Sequence, residues 1–129
     1  MVEDVELHLL DRLTDIAVDN PRYRREAYLF VFNAINWAGG KMEQQRHLSG
    51  QEFTHILINL ARDQFGEMAY QVLQEWGIYG TRDFGEIVYT LIDAGLMSRR
   101  DDDSIQDFED VLDIETALLD PEYEPGITF

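Results

Sequence analysis

Apolar residues in this chain recur at intervals of three and four, and glycine ends most of the runs. The clearest case follows Ser49. There Phe53, Ile56, Leu57, Leu60, Ala61 and Phe65 share one side of a helix, and they would be split between both faces of a strand. Ser49 and Glu52 stand ahead of the run at capping-box spacing, the hydroxyl accepting from the fourth residue's N–H while the carboxylate reaches back. Gly66 interrupts the pattern. Met68, Ala69, Val72, Leu73 and Trp76 resume it as far as Gly77, a residue suited to a helix C-terminus. Thr81 caps the next helix, whose inward positions are Phe84, Ile87, Val88, Leu91 and Ile92, and Gly95 closes it.

Upstream, Val5, Leu9, Leu10, Leu13, Ile16 and Ala17 predict a helix over about residues 3 to 18. Asn20 and Pro21 suit the N-cap and first position of a second helix. Its stripe is Ala27, Val31, Ala34, Ile35 and Ala38, widened by Tyr28, Phe30 and Trp37, with Gly39 and Gly40 as its stop. The pattern therefore predicts a mainly α fold, a compact bundle of five to six helices in a single domain over residues 1 to 119. The sixth element has two readings. "LMSRR" could pair with "FEDVLDI" as a two-stranded hairpin, the wing of a winged-helix-like domain. Alternatively Ser104 and Asp107 cap a helix with Phe108, Val111 and Leu112 on one side. Residues 120 to 129, "DPEYEPGITF", lack periodicity and read as an acidic extended tail.

Charge sets the surface. Residues 1 to 100 hold all 10 basic residues against 15 acids, while residues 101 to 129 hold 11 acids and no base, giving a net charge of −16. Hydrophobic residues make up 45% of the chain, too many for a disordered acidic polymer, so the charge decorates a globule. Nine of the ten bases are Arg and one is Lys41; a surface rich in acids and poor in Lys suits high-salt cytoplasm. A phosphate backbone would be repelled by such a surface. With no cysteine, there is no thiolate nucleophile, disulfide or cysteine-ligated metal. The N-terminus carries acids where a signal peptide needs positive charge, and no apolar run approaches the ~18 residues of a membrane span. The expected setting is the cytoplasm, without a membrane partner.

The ordered motifs "HLSGQEF", "DQFGEMAYQVLQEWGI", "TRDFGEIVYTLIDAGLMSR" and "FEDVLDIETAL" resemble those of a small bacterial family of uncharacterised proteins, associated mainly with the planctomycete and verrucomicrobial group. The resemblance covers roughly residues 25 to 119. It rests mostly on Gly, Phe, Trp and capping residues, which fit structural roles, and it implies kinship without a catalytic residue to carry over.

Few residues point to chemistry. Glu52 and His55 form a Glu-x-x-His, half of what a carboxylate-bridged di-iron site uses, but no second such pair exists and Glu52 already has its capping role. A metal-dependent enzyme built on Glu52 and His55 is one alternative; no cofactor is otherwise called for. There is no Gly-x-Ser-x-Gly turn and no Walker spacing around Lys41. The Asp101-Asp102-Asp103 run lacks the glycine and distal glutamate of an EF-hand loop.

Arg22, Arg24 and Arg25 are expected in the first turn of the second helix, where the macrodipole disfavours positive charge. They either pair with the abundant acids or, with Arg46 and His47, form a site for an anion or an acidic partner. Residues 77 to 104 have the shape of a helix-turn-helix half, with Arg99 and Arg100 as possible phosphate contacts from a wing. The positions outside the apolar stripe, however, are Arg82, Asp83, Glu86, Tyr89, Thr90 and Asp93, three acids to one base, and the triple aspartate follows. A winged-helix nucleic-acid-binding protein, with a basic face from Arg22, Arg24, Arg25, Arg82, Arg99 and Arg100, is thus disfavoured. By elimination the sequence points to a small acidic cytoplasmic module, not an enzyme, that binds another protein.

Overall fold

The computed structural model describes residues 2–41, 49–97 and 104–120. Among the described residues six α-helices appear in order: α1 (Val2–Asp19), α2 (Arg25–Lys41), α3 (Gly50–Phe65), α4 (Ala69–Glu75), α5 (Thr81–Asp93) and α6 (Ile114–Leu119). Short 3₁₀ turns at Gly66–Met68 and Ile105–Phe108 join them, and no strand forms among the described residues. No described helix is long and apolar enough to cross a membrane.

The elements share one core. Leu13 of α1, Tyr28 and Val31 of α2, Ile56, Leu57 and Ile58 of α3, Leu73 of α4, Ile78, and Phe84, Ile87 and Leu91 of α5 are fully buried in it. Each such side chain contributes about 1.5–3 kcal/mol by leaving water. Burial of Ile58 beside Ile56 and Leu57 widens the α3 stripe beyond a single face, because α3 packs against α2, α4, α5, α6 and the second 3₁₀ turn. Phe30, Phe65 and Trp76 form an aromatic trio, with the Trp76 ring 5.6 Å from Phe30 and 5.5 Å from Phe65. That trio binds α2 to the ends of α3 and α4.

Local signals account for several boundaries. Ser49 Oγ accepts from the Glu52 N–H and Glu52 Oε1 from the Ser49 N–H, completing the expected capping box. After α4, Gly77 N–H donates to Gln74 O and Ile78 N–H to Leu73 O; after α5, Gly95 N–H donates to Ile92 O and Leu96 N–H to Leu91 O. Both ends are Schellman motifs with the glycine at positive φ, +93° and +80°. Gly77 is doubly constrained, since a Cβ there would lie 2.5 Å from Arg22 O.

Elsewhere the structure departs from the pattern. Asn20 ends α1 instead of starting α2: its backbone N–H and its side-chain Nδ2 both donate to Ile16 O. α2 begins only at Arg25 and runs through Gly39 and Gly40 to Lys41. The N-cap of α5 is Gly80, and Thr81 Oγ1 accepts a hydrogen bond from Val111 N–H.

The hairpin reading of residues 96 to 119 fails among the described residues, of which 98–103 are not part. Ser104 and Asp107 do cap an element, but it is the 3₁₀ turn. Asp110 then bends the chain at φ +49°, and Asp113 caps α6 by accepting from the Thr116 N–H and hydroxyl. The reason is Phe108. Its ring wedges between Gly50 and Gly85, where an added Cβ would come within 3.0 Å and 2.9 Å of it respectively, and this contact with α3 and α5 outweighs strand pairing in an aspartate-rich segment. Val111 and Leu112 lie between the two short elements and belong to neither.

Candidate functional site

Polar side chains converge most densely where the α1–α2 connection meets the start of α5. Asp83, 6% exposed, accepts at Oδ2 from the backbone N–H groups of Tyr79 and Gly80, at 2.8 and 3.0 Å, and so caps α5 from its third position. Its Oδ1 lies 2.6 Å from the Tyr23 hydroxyl and 2.9 Å from Arg22 Nη2. One turn on, Glu86 Oε2 lies 2.5 Å from the same hydroxyl and 3.1 Å from Arg22 Nη1. A phenol has one proton to donate, so Tyr23 serves the two carboxylates one at a time while Arg22 bridges both. Burial, then the hydrogen bonds to Asp83 and Glu86, push the Tyr23 phenol far above its ordinary value. Burial and the Glu86 charge raise that of neighbouring Tyr28 to about 12. The cluster is a clamp: its charges and donors are turned on one another, with Arg24 N–H adding a bond to Trp76 O.

Two of the three clustered arginines have side-chain partners within the chain. Arg22 precedes α2 and pairs across the fold with Asp83 and Glu86, while Arg25 reaches Thr14 Oγ1 and Glu26. Arg46, His47, Arg99 and Arg100 lie outside the described residues. Glu52 is engaged in the capping box; His55 sits three residues on with its Nδ1 buried and without a hydrogen-bond partner among the described residues. No group of three or more metal-ligating residues comes together among the described residues.

Of the positions expected outside the apolar stripe of α5, Asp83 alone is buried. Asp83 is buried and capping, Glu86 is in the clamp, and Arg82 pairs with Glu109. α5 packs against α2, α3 and the second 3₁₀ turn, while Arg82 and Asp93 stay exposed and Glu86, Tyr89 and Thr90 partly so.

The described residues also form a concave feature. An open groove of about 500 Å³ lies between the C-terminal end of α3 and α6, lined by Arg62, Gly66, Glu67, Leu118, Leu119 and Asp120. Leu118 is buried, whereas Leu119 is 51% exposed, and Met68, next in the chain to Glu67, is 54% exposed. Gly66 shapes one wall: at φ +55° it breaks α3, and its N–H still bonds Arg62 O. No sequence signal announced this site, because its two walls come from segments far apart in the chain.

No family model matches the chain, and neither a curated protein nor a solved structure does.

Proposed function

We propose that this chain is a small acidic cytoplasmic module, non-enzymatic, that engages a segment of another protein in the groove between α3 and α6. The observation carrying this reading is the half-exposed Leu119 in the lining of that groove. Large aliphatic side chains left in water beside a cavity gain most from a partner that covers them. The best-formed polar cluster speaks for structure in place of chemistry, since Arg22, Tyr23, Asp83 and Glu86 satisfy one another and hold α5 in place.

Selection from a phage-displayed random peptide library against the full chain tests the proposal. Selected peptides should carry apolar anchors, bind the wild type and the Val18→Ser control, and lose at least tenfold in affinity against Leu119→Ser. Val18 is a fitting control because it is 72% exposed and outside the groove. Binders indifferent to Leu119→Ser, or no binders at all, would refute the reading.

A further inference from the structure

Residues 104 to 120 run over α3, α4 and α5 as a strip in which few side chains are buried. Phe108, Ile114, Ala117 and Leu118 are its buried anchors, and the other residues of the strip are exposed or partly so. We infer that this strip is a strap that opens as one unit while α1 to α5 stay folded. The inference stands whether or not the groove takes a peptide.

Side chains alone hold the strap to the rest of the fold among the described residues. Its backbone hydrogen bonds stay inside it, from Asp107 to Ser104, Glu109 to Gln106, Ala117 to Asp113 and Asp120 to Thr116. By contrast, the connection ahead of α2 is tied backbone to backbone, through Arg24 N–H to Trp76 O. The polar ties of the strap include the Val111 N–H to Thr81 Oγ1, the Arg82–Glu109 pair and the Tyr70 hydroxyl to Glu115, the last two at exposed positions where such pairs return little. Asp110 sits at φ +49°, so the closed form also carries a backbone strain that opening releases.

Length makes the strap a unit. Its elements are the 3₁₀ turn Ile105–Phe108 and the six-residue α6, and a helix shorter than roughly 12–15 residues does not persist alone in water. Once the anchors leave, both elements melt. The body keeps a core of its own, since Leu13, Val31, Leu57, Leu73, Ile87 and Leu91 all come from α1 to α5. Opening has two consequences at once. It removes α6, one wall of the groove, and it uncovers the space between Gly50 and Gly85 that the Phe108 ring fills. The groove therefore exists only while the strap is shut.

Native-state hydrogen exchange of the full chain, followed by NMR in increasing subdenaturing urea, tests this. The amide of Val111, bonded to Thr81 Oγ1, and that of Ala117, bonded to Asp113 O, report the two halves of the strap. They should show one common opening equilibrium, roughly tenfold or more easier than that of Leu57 in α3 and Val88 in α5. Its urea dependence should be shallower, because strap opening exposes only part of the surface that global unfolding does. Leu13→Ala, a core change in α1, should speed exchange at Leu57 and Val88 by roughly tenfold or more. The same change should leave Val111 and Ala117 as they are, since the open form keeps the body folded. Strap amides that match Leu57 in protection and urea slope, or that follow Leu13→Ala, would overturn the inference. So would different opening equilibria at Val111 and Ala117, which would divide the strip. The wild-type urea slopes decide the question even if Leu13→Ala fails to fold.

Discussion

Two devices hold α5 in place, and they use opposite physics. At its N-terminus the Arg22–Tyr23–Asp83–Glu86 clamp grips it with charges and hydrogen bonds. About 200° around the helix from Asp83, Gly85 receives the ring of Phe108, and that contact is entirely one of shape. The clamp depends on protonation state and, through exposed Arg22, on salt; the ring contact depends on neither. Polar groups buried together specify one arrangement but return little net energy, because each first loses its water. An aromatic ring filling a glycine-lined socket contributes its full apolar area and tolerates no change of volume.

The largest expected effect tests the socket. Phe108→Ala should destabilise the fold by about 3–5 kcal/mol, measured by urea unfolding. The sharper form is a double-mutant cycle. Gly85→Ala alone should cost about 1–3 kcal/mol, because its Cβ would sit 2.9 Å from Phe108 atoms. In the Phe108→Ala background the same change should become neutral or stabilising, since alanine is the better helix former by about 1 kcal/mol. Additive costs would show that Phe108 and Gly85 do not share one space.

A smaller effect tests the clamp. Asp83→Ala removes the acceptor for two backbone N–H groups and frees Tyr23 and Arg22 from one partner, for an expected loss of about 2–3 kcal/mol. Exposed Arg22 limits the share due to its ion pair, so most of that loss should persist in high salt. A loss that vanishes with added salt would make the clamp an exposed ion pair and little else.

The smallest effect separates the two devices by pH. Tyr23 and Tyr28 have phenols raised in the folded state above the unfolded value of about 10, so the folded form holds its protons more tightly. Their contribution is fully present below about pH 10 and falls as pH rises towards and beyond about 12, by at most about 1.4 kcal/mol per pH unit for each phenol. Alkaline unfolding followed by circular dichroism should therefore coincide with a late step in phenolate absorbance. Tyr23→Phe should flatten the slope, and Phe108→Leu should leave it unchanged. A Tyr23→Phe variant with the wild-type slope would contradict the clamp.

How much of this was legible in the chain varies with how local the cause is. The capping box at Ser49 and the glycine stops at Gly77 and Gly95 could be read directly, because each is a contact within a few residues. The surface assigned to α5 could not. Asp83 and Glu86 look solvated in a strict helical pattern, and only the approach of Arg22 and Tyr23, some sixty residues earlier, turns them inward. Likewise Asn20-Pro21 resembles a helix start, yet the connection is drawn out to Arg25 so that residues 22 to 24 can dock on Trp76 and Gly77. The groove escaped for the same reason, since Gly66 and Leu119 share no motif.

By itself the amino-acid sequence determined the helical class, the placement of α1, α3, α4 and α5, and a strongly acidic charge balance. Those follow from periodicity, caps and charge, which act over one or two turns or over the whole surface. Tertiary structure alone decided that residues 104 to 119 form a 3₁₀ turn and a short helix and make no hairpin. It also set which acids are buried and where a groove opens between α3 and α6. These outcomes hinge on side chains meeting across the fold, where Phe108 needs two glycines contributed by different helices and Asp83 needs donors from another connection.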